Sequence, residues 1–140
     1  AGLACAAELN ISLSKRNVSR TICFVTPAFS DKNNVSWLRS VLNSETAVVY
    51  MGGKDLEKIA SSLIDSNMSV EMPVAIIENA STKPVKTLTK LSRLMTYHLK
   101  TDGPVCLIIG NIFSFTNTML EEDVVIKDDD PKEEKIPYVA

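Results

Sequence analysis

TAVVYMGGKDLEKIASSLIDSNMSVEMPVAIIE, residues 46–78, sets an amphipathic stripe between two apolar runs. TAVVYM is almost continuously apolar and carries adjacent valines. It predicts a strand over 46–51, buried on both faces as in a parallel sheet. Gly52-Gly53 breaks that strand. In residues 55–67, Leu56, Ile59, Ala60, Leu63 and Ile64 recur at i, i+3, i+4, i+7 and i+8, the stripe of a helix that packs on a sheet. PVAIIE, residues 73–78, predicts a second buried strand. Strand, helix and strand in immediate succession give an α/β architecture.

The same pattern extends in both directions. Upstream, TICFVT (21–26) is β-branched and aromatic and reads as a strand stopped by Pro27. Residues 27–34 read as loop, and 35–42 as a short helix with Val35, Leu38, Val41 and Leu42 on one face. Residues 2–9 are rich in alanine and leucine and predict a helix, and 10–20 are polar and irregular. Downstream, 83–88 reads as a short strand. Residues 89–99 read as a helix with Leu91, Leu94, Met95 and Leu99 turned inward. Gly103-Pro104 turns the chain into a last core strand over 105–109. From Glu121 onward the run EEDVVIKDDDPKEEK is mostly acidic. It reads as a solvated, partly disordered tail, with an acidic docking segment as the alternative. The domain organisation expected is a linker helix and basic loop over 1–20, one α/β domain over 21–115, and an acidic flexible tail over 116–140.

With 140 residues and 45% hydrophobic content, the chain suits one globular domain that needs neither disulfides nor metals. Its net charge of -2 carries no footprint for nucleic acid. Its apolar runs are too short to span a membrane. The sequence begins without methionine and shows no basic leader or cleavage pattern, which points to a fragment rather than a secretory precursor. Cys5, Cys23 and Cys106 are odd in number and far apart, so they read as buried free thiols in a reducing compartment, the cytoplasm.

Few residues carry chemistry openly. There is no GxGxxG, P-loop, HExxH, CxxC or GxSxG. The single histidine, His98, has no acidic or nucleophilic neighbour in sequence and reads as a surface or half-buried helix position. Two loops stand out because ligands of α/β folds collect at the carboxyl ends of strands. Met51-Gly52-Gly53 lets a backbone approach a ligand closely and offers a methionine to a flat base, or else is an ordinary turn into the next helix. Glu78-Asn79-Ala80-Ser81 leaves room for a bound molecule, or else is a plain loop capped by Asn79 or Ser81. The stretch holding Lys15, Arg16 and Arg20 suits a substrate rich in carboxylates, or else is a solvated basic loop.

Taken in order, these segments resemble the uroporphyrinogen-III C-methyltransferases of the tetrapyrrole methylase family. Residues 46–81 are similar to the family's apolar strand ending in Tyr-Met-Gly, its amphipathic helix, and its "PVA-apolar-apolar-E" strand with a small-residue loop. NISLSKRNVSRTICFVT (10–26) resembles the segment "GIPLTHR…SVTFVTGH", and VCLIIGNIF (105–113) resembles "ALIIVGEVV". The resemblance covers about residues 1–113. It implies the C-terminal domain of a two-domain α/β enzyme, a mixed sheet with helices on both faces. It also implies a homodimer, with S-adenosylmethionine as cofactor and S-adenosylhomocysteine as its product. The implied reaction is methylation of uroporphyrinogen III at C2 and C7 to precorrin-2, towards sirohaem or cobalamin, with no metal. Family roles carried over residue by residue put Met51, Gly52 and Ala80 on the cofactor, together with Ala1, the match to the alanine of a Thr-Ala pair. They put Lys15, Arg16 and Thr26 on the substrate. Arg16 is the candidate catalytic group, as a proton handler or carboxylate binder.

The match has departures. It begins partway through the family pattern, so the family's first domain, with its Gly/Pro-rich cofactor loop, is not among these residues. "IPLTHR" is here Ile11-Ser12-Leu13-Ser14-Lys15-Arg16, without proline or histidine, and "VTGH" is Val25-Thr26-Pro27-Ala28. Three expectations follow: a methyltransferase fragment inactive alone, a non-catalytic remnant or binding module, or a methylase of another precorrin.

Overall fold

The computed structural model of the chain describes residues 20–30, 35–51, 54–80, 82–111 and 123–126. The elements are β1 (Ile22–Val25), α1 (Ser36–Leu42), β2 (Thr46–Met51), α2 (Leu56–Asp65), β3 (Pro73–Glu78) and β4 (Val85–Lys90). A 3₁₀ turn (Leu91–Met95), β5 (Val105–Gly110) and β6 (Val124–Ile126) complete them. The expected helix over residues 2–9 and the basic loop of 10–19 lie outside the described residues.

Six strands form one mixed sheet in the order β1-β2-β5-β3-β4-β6. Alternate side chains of each central strand face opposite ways. Ala47 and Val49 of β2, Val74 and Ile76 of β3, and Val105, Leu107 and Ile109 of β5 join one core. Trp37 and Val41 of α1, Leu56, Ile59, Ala60 and Leu63 of α2, and Leu91 and Leu94 of the 3₁₀ turn pack onto it. Val48, Ala75, Ile77, Leu88, Cys106 and Ile108 form a second core on the other face, joined by Tyr50, Ala80, Val124 and Ile126. Two-sided burial explains the continuous apolar runs. Each fully buried Ile or Leu contributes about 1.5–3 kcal/mol relative to exposure. All the described helices lie on the first face. Neither Cys23, which is half-buried, nor Cys106, which is buried, forms a disulfide.

The expected parallel surroundings of β2 are half right. β2 runs parallel to β1 and antiparallel to β5. β5 is also antiparallel to β3, and β3 to β4. Burial on both faces makes a strand apolar whichever way its neighbours run, so the pattern carried no direction.

α2 ends two residues earlier than the stripe predicts. Asn67 adopts φ +71°, its N–H bonds to Ile64 O at 3.0 Å, and Met68 N–H bonds to Leu63 O at 3.0 Å. This pair of bonds is a Schellman stop, and asparagine tolerates its left-handed residue.

The helix expected over 89–99 is corrected. Thr89 and Lys90 finish β4, and a single 3₁₀ turn follows. Leu91 and Leu94 are buried at the i, i+3 spacing that such a turn eclipses. The N–H groups of Leu91 and Ser92 bond to Met72 O (2.9 Å) and Val70 O (3.0 Å). The segment is therefore tied to the loop before β3 instead of starting an α-helix.

The reading of 116–140 as a flexible tail also fails for residues 123–126. β6 pairs with β4 through Lys86↔Ile126, Thr87↔Val125 and Leu88↔Val124. Asp123 fastens its entry. The carboxylate oxygen Oδ1 accepts from Thr89 Oγ1 at 2.5 Å and pairs with Arg93 at 3.2 Å.

Candidate functional site

β1, β2 and β3 run the same way, so their carboxyl ends share one edge of the sheet. The register makes this specific. Met51 and Glu78 both pair with Val105, one from each side of β5, and Val25 pairs with Val49 two residues before Met51. Thr26, Met51 and Ala80 therefore come to a common edge, the position where α/β sheets receive ligands. Thr26 is exposed, while Ala80 is half-buried at the rim of the second core. Gly52, Ala1, Lys15 and Arg16 lie outside the described residues.

One residue of the Glu78-Asn79-Ala80-Ser81 loop, to which the sequence assigns no role of its own, organises this edge. Glu78 is fully buried at the end of β3. Its Oε1 accepts from the backbone N–H of Lys100 at 2.6 Å and of Thr101 at 2.9 Å, and its Oε2 accepts from the Tyr97 hydroxyl at 3.3 Å. Lys100 Nζ donates to the Tyr97 oxygen at 2.8 Å, and Thr87 Oγ1 lies 3.1 Å from it. Burying a carboxylate is costly unless it is hydrogen-bonded, and three donors meet that need. Asn79 is left-handed at φ +56°. Its side-chain amide donates to Thr82 O, and its backbone N–H donates to Pro104 O at 2.9 Å. The only sequence signal for this network is an acid closing a wholly apolar strand.

His98 follows the 3₁₀ turn and is exposed. It lines an open cleft of about 340 Å³ with Lys54, Glu57, Met95, Thr96 and Tyr97, between the start of α2 and the 91–98 segment. Among the described residues no helix is long and apolar enough to cross a membrane.

Comparison with known proteins adds the family. The model of the Tetrapyrrole (Corrin/Porphyrin) Methylases matches residues 1–94. A uroporphyrinogen-III C-methyltransferase of Pseudomonas fluorescens is 35% identical, over 80% of this chain and 47% of that protein. Siroheme synthase 2 of Pectobacterium atrosepticum is 30% identical, over 77% of this chain and 24% of that protein. The chain thus spans about half, or less, of the length of these curated relatives. The uroporphyrin-III C-methyltransferase of Thermus thermophilus, solved with S-adenosylhomocysteine, shares the fold. Its TM-score is 0.63 at 22% identity, over 78% of this chain and 47% of that one. The matched family model and the curated relatives together show that this chain belongs to the tetrapyrrole (corrin/porphyrin) methylases.

Proposed function

We propose that this chain supplies one half of a methyltransferase that uses S-adenosylmethionine to methylate uroporphyrinogen III, giving precorrin-2 for sirohaem or cobalamin synthesis. The observation that supports this reading best is the register that flanks the start of β5 with Met51 on one side and Glu78, two residues before Ala80, on the other. The activities named for the relatives agree with it. On this reading Met51, Gly52, Ala80 and Ala1 contact the cofactor. Lys15, Arg16 and Thr26 face the carboxylates of the tetrapyrrole, and the working enzyme is a cytoplasmic homodimer.

The residues present fit such a group. Ala80 offers a small side chain at the sheet edge. The neighbouring carboxylate of Glu78 is held by its own loop, so it does not present a free buried charge. When bound, the cofactor supplies an electrophilic methyl on a sulfonium. The chain's part is then mainly to hold reactants in line, which can contribute as much as about 7–11 kcal/mol of barrier reduction. Arg16 in this reading binds a substrate carboxylate or handles the ring proton lost after transfer.

Calorimetric titration of the chain with S-adenosylhomocysteine tests the reading, with Met51→Lys as the variant. Saturable binding that the variant loses supports it, and equal binding by the variant overturns the pocket assignment. A folded chain that binds nothing, even with the N-terminal half of the Pseudomonas fluorescens relative added in trans, overturns the function.

The changes in the substrate segments, Ile11 to Arg16 and Val25 to Ala28, favour a second reading with the same cofactor and a different precorrin as substrate. Product analysis of the completed enzyme separates the two.

A further inference from the structure

Two loops distant in sequence lock together beside Ala80. From one side, the N–H groups of Lys100 and Thr101 and the hydroxyl of Tyr97 converge on the buried carboxylate of Glu78. From the other, Pro104 O receives the N–H of Asn79, and Gly103 lies against the Asn79 side chain. A Cβ at Gly103 would sit 2.8 Å from Asn79 Oδ1 and 2.9 Å from its Cβ. Asn79 cannot swing aside freely, because its amide also holds Thr82 O. A left-handed residue such as Asn79 persists where its surroundings over-determine it, and here they do.

We propose that the 97–104 segment is a brace that sets the conformation of the Asn79-Ala80 turn. Glu78, Tyr97 and Gly103 are then positioning residues for the cofactor side of the site. The second half of this statement rests on the cofactor reading of Ala80, and the first does not. Ala80 has no polar side chain with which to hold itself in place. Its position is inherited from Asn79, which is held by Pro104 and Gly103 of the brace and by Thr82 of its own turn.

Amide hydrogen exchange of the 140-residue chain, read residue by residue by NMR, tests the brace without any ligand. In Gly103→Ala the amides of Asn79 and Thr82 exchange about tenfold faster or more, while those of Ile76 and Leu107 keep their rates. Adding Asn79→Gly removes the side chain that the new Cβ meets and accepts the left-handed backbone, so the amide at position 79 returns towards its original rate. Unchanged exchange, loosening shared by Ile76 and Leu107, or no recovery overturns the brace. Tyr97→Phe keeps the test decisive if the alanine variant does not fold. Faster exchange at Lys100 and Thr101 supports the brace, and unchanged exchange there overturns it. For positioning, S-adenosylhomocysteine binds Gly103→Ala more weakly and the double variant nearly normally, at equal ligand-free melting temperatures. Equal Kd in all three chains overturns the positioning role. An unaltered chain that binds no S-adenosylhomocysteine sinks the cofactor reading of Ala80, and the exchange result still decides the brace.

Discussion

Replacing Glu78 by alanine removes the acceptor of three hydrogen bonds at once. The N–H groups of Lys100 and Thr101, at 2.6 and 2.9 Å, lose their partner, and so does the Tyr97 hydroxyl at 3.3 Å. A donor stranded in the interior costs about 1–3 kcal/mol. Lys100 is exposed and Thr101 half-buried, so water reaches them and the low end applies, about 1 kcal/mol for each amide. Truncation also removes buried methylene surface worth about 0.8 kcal/mol per CH₂. Relief of the buried charge offsets part of the loss. The net expectation is about 3 kcal/mol, a large share of the roughly 5–15 kcal/mol typical of a domain. Glu78→Gln keeps the size and one acceptor oxygen and should lose only about 1 kcal/mol. Urea unfolding followed by circular dichroism measures both, with Glu57→Ala on the exposed face of α2 as control. If Glu78→Ala falls within about 0.5 kcal/mol of that control, the carboxylate does not hold its loop. If it is more stable than the unaltered chain, desolvation outweighs the three bonds.

Two further substitutions probe other parts of the sheet. Asp123→Ala should cost about 1 kcal/mol in urea unfolding, since Thr89 and the partly exposed Arg93 lose a shared acceptor. Faster amide exchange confined to β6 would mark the strand's release, and unchanged exchange would mean that pairing with β4 suffices. Gly110→Ala brings a Cβ within 2.6 Å of the Glu45 carbonyl oxygen, where backbone faces backbone, so about 1–3 kcal/mol of overpacking should appear in a thermal melt.

The central elements were legible because burial leaves a period. β2, α2, β3 and β5 fall where their apolar patterns put them, and only the two ends of α2 and one residue of β5 moved. Strand direction was not legible, because TAVVYM reads the same beside parallel or antiparallel neighbours. Residues 89–99 misled because Leu91 and Leu94 suit an α-helix and a 3₁₀ turn equally. What decided was a pair of bonds to Val70 and Met72, some twenty residues earlier. β6 was hidden by its flanks. Val124–Ile126 is a three-residue apolar island among acids, and its value comes from an open edge of β4 that no local pattern announces. At the candidate site, the strand end at Met51 and the turn at Ala80 were visible as glycine and small-residue segments after apolar runs. The Glu78 network was not, because its partners lie 19 to 23 residues along the chain.

The distribution of polar groups along the sheet edge bears on the chemistry proposed. A sulfonium methyl passing to a carbon nucleophile requires alignment first and proton transfer second. The described edge matches that order. Several of its buried and half-buried polar side chains are spent on geometry. Glu78 is committed to three donors, Thr87 and Tyr97 to each other, and Asn79 to two loops. None of these groups is free to act as a base, so on the proposed reading the acid–base function falls to Arg16 or to water. The same division has a kinetic consequence. Loosening the turn through Gly103 or Tyr97 should act first on cofactor affinity, because it blurs where Ala80 sits. Changing Arg16 should act on turnover of the completed enzyme while cofactor affinity holds. On the proposed reading, an edge of strand ends stiffened from behind by the 97–104 segment contributes alignment to a reaction whose electrophilic methyl comes from the cofactor.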